Sequence, residues 1–245
     1  MKRLEKGEII SKNKLTEDVY SLEIALNAED VKAGQFCSIY VNSPKHILPR
    51  PISISEATAN AIVVVFQVLG EGTKILSQCK VGDVLNILIP LGNGYTIENK
   101  VKVALVGGGI GVPPLVQLEK EILKSIKNVE IDTYIGFRST PFLDNKFTNV
   151  NISTDDGSVG FKGNVLELLK SSGKTYDIIY ACGPHILLKN LAKYANENNI
   201  SCQISMEERM ACSIGACVGC VVSINGEYKK VCVDGPVFNS TEVDF

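Results

Sequence analysis

Four cysteines near the C-terminal end of the sequence have the spacing of metal ligands. Three stand as C-x4-C-x2-C, and the fourth follows after eleven residues: Cys212, Cys217, Cys220 and Cys232. This is the spacing of a plant-type [2Fe–2S] cluster, in which four thiolates hold two irons. Glycines at 215 and 219 let the loop wrap closely around an inorganic core and turn backbone N–H groups toward sulfur. The pattern predicts a one-electron centre, and therefore electron transfer.

Two other roles for these cysteines stay open. A structural zinc site also uses four thiolates, but usually as two short pairs such as C-x2-C. Disulfides suit a secreted chain, whereas residues 1–6 lack the apolar core of a signal peptide, so a reducing cytoplasm is expected. For most of the other cysteines a small buried apolar side chain is the default expectation: Cys37, Cys79, Cys182 and Cys202.

Length and charge narrow the class of protein. A chain of 245 residues has room for two domains and a small module. The formal charge is −2 and both signs are mixed along the chain, so nothing indicates nucleic acid or an anionic membrane surface. No apolar run is long enough to cross a bilayer, which predicts a soluble protein. Neither His46 nor His185 has the local signature of a catalytic triad or a histidine metal site.

The predicted secondary structure changes near Asn99 and again near Ser205. Up to residue 98, short strands without helical crossovers predict an antiparallel β-barrel, with one helical stretch at Thr73–Gln78. From residue 99 to 205, strands alternate with helices and predict a Rossmann-like parallel sheet. The predicted fold class is therefore β plus α/β, in three units: residues 1–98, 99–205 and a small cysteine module at 206–245.

A glycine-rich loop follows the first strand of the predicted parallel sheet. It reads Gly107-Gly-Gly-Ile-Gly-Val-Pro-Pro114 and opens a helix. Glycines here let the backbone approach a phosphate, and a helix N-terminus offers free N–H donors. Pro114 occupies the place of the third glycine of G-x-G-x-x-G, so a tight turn without a ligand stays open.

The barrel half carries two weaker motifs. Arg50-Pro-Ile-Ser53 combines a guanidinium that fits a diphosphate with a hydroxyl that can donate or accept at a ring nitrogen. Gly70-Glu-Gly-Thr73 precedes a helix and offers N–H groups to phosphate, although a plain glycine turn between strands explains it equally well. For the motif at 50–53, the alternative is a surface arginine that happens to precede a proline.

Cys182-Gly-Pro184 ends an apolar strand of the parallel sheet. Ligands of such sheets lie just beyond the carboxyl ends of the strands, so a small thiol there can pack on a nicotinamide ring. A buried structural cysteine before a turn is the alternative. Thr154-Asp-Asp-Gly-Ser158 follows another strand and is interpreted as a turn with a possible ligand contact.

In this order the motifs resemble the ferredoxin–NADP reductase superfamily over residues 5–200. With the cysteine module, the whole chain resembles the electron-transfer subunits of dihydroorotate dehydrogenase type B. The resemblance is carried by M-A-C-S-I-G-A-C-V-G-C at 210–220 and V-C-V-D-G-P-V-F at 231–238. Ser213 departs from an expected glycine. Related subunits of NADH-dependent ferredoxin:NADP oxidoreductases carry Asp at the position of Cys212, so the cysteine favours the dihydroorotate enzyme.

The resemblance implies three cofactors, FAD, NAD and a [2Fe–2S] cluster, one for each unit in chain order. It implies that FAD is held by Arg50, Pro51 and Ser53, with Gly72 and Thr73 at its phosphates. It further implies that Gly108, Gly109 and Gly111 shape the NAD loop, that Cys182 lies beside the nicotinamide, and that the cluster ligands are Cys212, Cys217, Cys220 and Cys232. No residue is expected to make or break bonds itself, because the chain relays electrons.

The implied partner is a catalytic FMN subunit that oxidises dihydroorotate to orotate in pyrimidine biosynthesis. The resemblance implies a cytoplasmic heterotetramer with two copies of each subunit. Arg138 follows the second strand of the parallel sheet, where it could accept a 2′-phosphate, so the choice between NAD and NADP stays open.

Two different functions remain as alternatives. The chain could be a general reductase component that serves a ferredoxin, an oxygenase or a hydrogenase. It could also be a non-enzymatic scaffold that binds flavin and zinc. Iron content separates the scaffold from the reductases, and co-purification with a second flavoprotein separates the dedicated subunit from the general one.

Overall fold

A computed structural model describes residues 2–245, and its first half is a closed antiparallel barrel of six strands in the order β1-β2-β5-β4-β3-β6. The apolar side chains of these strands fill the barrel interior, among them the fully buried Cys37. The predicted barrel is confirmed. Its elements are β1 (Arg3–Lys14), β2 (Val19–Ala25), β3 (Phe36–Tyr40), β4 (Arg50–Ala57), β5 (Ala61–Gln67), α1 (Glu71–Gln78) and β6 (Val84–Leu91).

A seven-stranded sheet forms the second half, in the order β10-β9-β8-β7-β11-β12-β15. Its first six strands are parallel, as predicted, and helices cover both faces. The elements up to residue 205 are β7 (Lys102–Gly108), α2 (Pro113–Ser125), β8 (Glu130–Phe137), β9 (Val150–Thr154), β10 (Phe161–Lys162), α3 (Val165–Ser171), β11 (Ile178–Cys182), α4 (His185–Glu197) and β12 (Ser201–Ser205).

Part of the C-terminal segment 206–245, which the sequence predicts as a small module, completes the sheet. The segment contains a hairpin of β13 (Val221–Ile224) and β14 (Glu227–Lys230), followed by β15 (Val237–Asn239). Strand β15 pairs with β12 in the antiparallel direction, with Ile204 opposite Phe238. None of these three strands was predicted, because cysteine- and glycine-rich spacing masks the short apolar runs between the ligands.

Strand β4 joins the barrel to helix α2 of the second half. The hydroxyl of Ser55 donates to the carbonyl of Pro113 at the start of α2 (3.0 Å), and the amide N–H of Ala57 donates to the side chain of Gln117 (3.0 Å). Glu56 lies between them and pairs with Lys120 and with Lys146 (2.8 Å). These contacts fix the strand that begins at Arg50 against the helix that follows the glycine-rich loop. No helix in residues 2–245 combines the length and apolar character needed to cross a bilayer.

Candidate cofactor and nucleotide sites

The four C-terminal cysteines form two neighbouring pairs. The backbone N–H of Cys217 donates to Sγ of Cys212 (3.3 Å), and the thiol of Cys232 lies beside that of Cys220. Two pairs of thiolates are what two irons need, each iron taking two protein ligands. Among the described residues, no three histidine, cysteine or acidic side chains converge closely enough to hold a single metal ion.

Backbone donors stabilise one of these thiolates. Burial acts to raise the pKa of Cys212, but N–H groups of Ile214, Ala216 and Cys217 outweigh it and lower the pKa to about 6. The conformation of the loop makes these donors available, because Ser213, Gly215 and Val218 all have positive φ. In contrast, burial and the neighbouring Cys220 raise the pKa of Cys232 to about 11. A loop that directs N–H groups at sulfur fits an iron–sulfur cluster.

Contacts with the barrel fix the cysteine loop at two points. Ser213 is 1% exposed, and its hydroxyl meets that of Ser38 on β3. Farther along, the side-chain amide of Asn93 donates to the carbonyls of Val233 (3.1 Å) and Asp234 (3.0 Å), directly after Cys232. The serine at 213, which departs from the expected glycine, therefore serves as an anchor.

Arg50 and the α1 N-terminus meet at one end of the barrel. A methyl group added at Gly72 would overlap Nε and Cζ of the Arg50 side chain, so the guanidinium lies directly over this glycine. The first-turn N–H groups of a helix have no partner within the helix. A guanidinium beside such donors forms a cradle for a diphosphate. This cradle, together with Ser53 three residues along β4, fits a flavin dinucleotide.

The hydroxyl of Thr73 is already used locally. It accepts from the backbone N–H groups of Leu69 (3.0 Å) and Gly70 (3.2 Å) and donates to the carbonyl of Gly70 (3.0 Å). The predicted role of Thr73 at a phosphate therefore rests on its backbone N–H.

The glycine-rich loop and the Cys182-Gly-Pro184 turn lie against each other. Strand β7 ends beside β11, with Gly107 opposite Cys182. A methyl group at Gly111 would come within 2.5 Å of the carbonyl carbon and oxygen of Cys182, and one at Gly108 within 3.0 Å of Cδ of Pro184. Because the order of the strands reverses between β7 and β11, this is the crevice where α/β sheets bind ligands. Pro113 and Pro114 begin α2, where the missing N–H has no cost.

Cys182 belongs to a polar cluster that the sequence patterns did not indicate. It is buried, and its neighbours are Ser205 at the end of β12, Tyr95, whose hydroxyl donates to the carbonyl of Ala181 (2.9 Å), and the carboxylate of Glu207. Burial first, and then the charge of Glu207, raise the pKa of Cys182 well above the ordinary thiol value. Glu207 has solvent contact, yet the surrounding protein raises the pKa of its carboxyl. None of the three neighbours lies within a local motif.

Cys37 and Cys202 are buried structural side chains, as expected. Burial raises the pKa of each to about 12, which leaves both thiols protonated. Cys79 is half-buried at the end of α1.

A cavity of about 670 Å³ extends from the glycine-rich loop along the carboxyl edge of the sheet. It is lined by Gly108 and Gly109, by residues that follow β8 and β9, and by the facing sides of α3 and α4. Arg138 is one of the lining residues after β8, where the sequence placed it. The cavity has the size expected for a nucleotide site.

Comparison with known proteins agrees with this arrangement. Residues 207–244 match the model of the iron–sulfur cluster binding domain of dihydroorotate dehydrogenase B. The chain is 38% identical to the dihydroorotate dehydrogenase B (NAD(+)) electron transfer subunits of Caldanaerobacter subterraneus subsp. tengcongensis and Clostridium perfringens. In both cases the match covers 98% of each chain.

A solved relative shares the fold over nearly the whole chain. It is the NADH-dependent reduced ferredoxin–NADP oxidoreductase, with a TM-score of 0.90 and 31% identity, and the match covers 97% of this chain and 89% of that one. The barrel and the parallel sheet thus occur together in a known oxidoreductase. From the full-length matches, the chain belongs to the family of electron transfer subunits of dihydroorotate dehydrogenase B.

Proposed function

We propose that this chain carries electrons between NAD and a catalytic FMN subunit that oxidises dihydroorotate to orotate. FAD and a [2Fe–2S] cluster are the proposed carriers. A flavin can exchange an electron pair with a nicotinamide and single electrons with an iron–sulfur cluster, which is the chemistry such a relay requires. The proposed units are residues 1–98 for FAD, 99–205 for NAD and 206–245 for the cluster.

The observation that carries this proposal is that two adjacent barrel strands contact both the cysteine loop and the start of α2. The cysteine loop contacts β3 through Ser213 and Ser38. The neighbouring strand β4 begins at Arg50, carries Ser53, and is held against the start of α2 through Ser55. A single pair of adjacent strands therefore links the cluster loop, the flavin cradle and the nucleotide loop.

Each group of residues has a defined task in this scheme. Arg50 and the α1 N-terminus bind the flavin diphosphate, and Ser53 offers a hydroxyl to the ring. Gly108, Gly109 and Gly111 allow close approach of the NAD diphosphate. The buried thiol of Cys182 stays protonated and presents a small surface to the nicotinamide, and the four cysteine thiolates ligate the irons.

In this proposal the partner subunit supplies the FMN and the site that oxidises dihydroorotate. A heterotetramer with two copies of each subunit, in the reducing cytoplasm, is the proposed assembly. A general reductase component is the alternative. Relatives at 38–39% identity over nearly their whole length, all named as electron transfer subunits of dihydroorotate dehydrogenase B (NAD(+)), favour the first.

The test is the absorption spectrum of the chain purified without air, before and after addition of NADH. We expect flavin bands with a broad long-wavelength shoulder, both bleached by NADH. Cys217→Ser should lose iron and the shoulder, while the matched variant Cys79→Ser keeps both. Protein without iron, or with flavin that NADH leaves unbleached, would contradict the relay.

A second measurement separates the dedicated subunit from the general reductase. The chain co-expressed with the catalytic subunit should reduce NAD when dihydroorotate is added, and the isolated chain should not. Oxidation of dihydroorotate by the isolated chain would overturn the proposed division of labour.

A further inference from the structure

Two residues of opposite charge line the cavity next to the glycine-rich loop. Arg138 follows β8 and Asp155 follows β9, and both side chains line the cavity. The backbone keeps them adjacent, because the N–H of Asp155 donates to the carbonyl of Phe137 (3.1 Å) and the N–H of Asp156 donates to that of Arg138 (3.3 Å). Both residues are exposed to the cavity solvent.

The other charged side chains around the cavity have partners in the protein. Glu167 accepts from the backbone N–H of Asn164 (3.1 Å), Lys193 lies 3.8 Å from Glu197, and Lys170 lies over the ring of Tyr194. Between residues 2 and 245, neither Arg138 nor Asp155 has an ion-pair or hydrogen-bond partner for its side chain. These two charges are therefore available to a ligand.

The direction of a bound dinucleotide follows from the strand order. Its diphosphate belongs at the glycine-rich loop, in the crevice between β7 and β11. Under the proposed function its nicotinamide faces the flavin, beside Cys182 at the end of β11. The adenosine half therefore extends the other way, across the ends of β8 and β9, where Arg138 and Asp155 lie.

We propose that Asp155 makes this site select NAD over NADP, an inference that rests on the proposed function. A carboxylate accepts a hydrogen bond from the 2′-hydroxyl of the adenosine ribose and repels the charge of a 2′-phosphate. Arg138 alone would favour the 2′-phosphate. Asp155, which follows the third strand counted from the crevice, therefore sets the preference for NAD, even though the cation Arg138 also lines the cavity.

The test compares Asp155→Asn with Asp156→Asn in the full chain loaded with its flavin and cluster. Asp156 is the matched control because it is an adjacent exposed carboxylate that accepts from the N–H of Ser158 (2.9 Å) and does not line the cavity. Two readouts are used. One is the ratio of kcat/KM for NADPH to that for NADH with an artificial electron acceptor. The other is calorimetric binding of 2′,5′-ADP and of 5′-AMP, which carry no nicotinamide.

In the wild type we expect 5′-AMP to bind more tightly than 2′,5′-ADP. Asp155→Asn should move both ratios toward the 2′-phosphorylated compound by about tenfold or more. Adding Arg138→Gln to that variant should reverse the gain, and Asp156→Asn should leave both ratios within about twofold.

Unchanged ratios in Asp155→Asn, or an equal shift in Asp156→Asn, would overturn the assignment of Asp155. Neither outcome touches the proposed function, which fails separately if NADH does not bleach the flavin of the wild-type chain.

Discussion

The hydroxyl of Ser38 donates a hydrogen bond of 2.6 Å to the hydroxyl of Ser213, and both residues are buried. One belongs to a barrel strand and the other follows directly after Cys212, the first of the four C-terminal cysteines. The contact joins residues 175 positions apart. It ties the conformation of the cysteine loop to the strand next to the flavin cradle. Because Ser213 also has a φ of +60°, this serine is held by the barrel in a backbone conformation that glycine adopts more easily.

The first prediction concerns this pair. Removing one hydroxyl leaves the other buried without a partner, so Ser38→Ala and Ser213→Ala should each destabilise the chain by about 1–2 kcal/mol. The double variant should lose less than the sum, by about 1 kcal/mol. Urea unfolding of the four proteins, loaded with cofactors, measures this difference. Additive losses would show that the two hydroxyls do not act as a pair.

The second prediction concerns the flavin cradle. A methyl group at Gly72 would occupy the space of the Arg50 guanidinium, so Gly72→Ala should displace Arg50 and lower the FAD content of the purified chain. Iron content should not change, because the cysteine loop is held elsewhere. Gly70→Ala is the matched control in the same turn. Its added methyl group meets no atom within 4 Å, and its φ of −164° suits any residue.

The result is read as FAD per chain after gel filtration. Full retention of flavin by Gly72→Ala would argue against the cradle, as would an equal loss of flavin from Gly70→Ala.

The third prediction concerns the contact between the glycine-rich loop and the Cys182 turn. In Gly111→Ala the methyl group would press on the carbonyl of Cys182, which is backbone in a buried strand and cannot move aside. The loop must shift instead, and the affinity for NADH should fall about tenfold or more. Flavin and iron contents should remain those of the wild type.

The comparison for this variant is Gly173→Ala, at a positive φ (+64°) after α3 where no atom lies within 4 Å. It carries backbone strain of about 1–2 kcal/mol but no clash near the nucleotide. Titration of both variants with NADH, followed by flavin absorbance, separates the two effects. Equal affinities in the two variants would contradict the proposed loop contact.

The fourth prediction concerns pH and Glu56. Burial acts to raise the pKa of this carboxyl, but Lys120 and Lys146 outweigh it and hold the pKa below its ordinary value of 4.5. A group whose pKa is lowered on folding stabilises the folded state above its unfolded pKa and loses that effect as pH falls through the folded value. Glu56→Gln should therefore destabilise the chain by about 1 kcal/mol at pH 7 and progressively less below about pH 4.

Urea midpoints of the wild type and Glu56→Gln from pH 7 to pH 3 measure this dependence. Glu71→Gln is the control, because Glu71 is exposed and lies 3.7 Å from Lys74. It should change stability little at any pH. A gap between wild type and Glu56→Gln that stays constant across the whole range would contradict the prediction.

Local sequence patterns predicted most of the elements that position the sites. The helical stretch expected at Thr73–Gln78 lies within α1, and the helix expected after the glycine-rich loop is α2, because helical spacing is set by neighbouring residues. The hairpin of β13 and β14 and strand β15 were not predicted. These three strands are short. Strand β15 pairs with the distant strand β12, and β13 pairs with β14 within the cysteine segment.

The sequence by itself determined the spacing of the four cysteines, the glycine-rich segments at 70–73 and 107–114, and the order of barrel, sheet and cysteine segment. Each of these depends on residues close together in the chain. The tertiary structure decided what lies beside them: Ser38 against Ser213, Glu207 and Tyr95 around Cys182, and Asp155 beside Arg138. These contacts join residues from 17 to 175 positions apart, and no local pattern specifies them, because only the packing of distant strands and loops brings such side chains together.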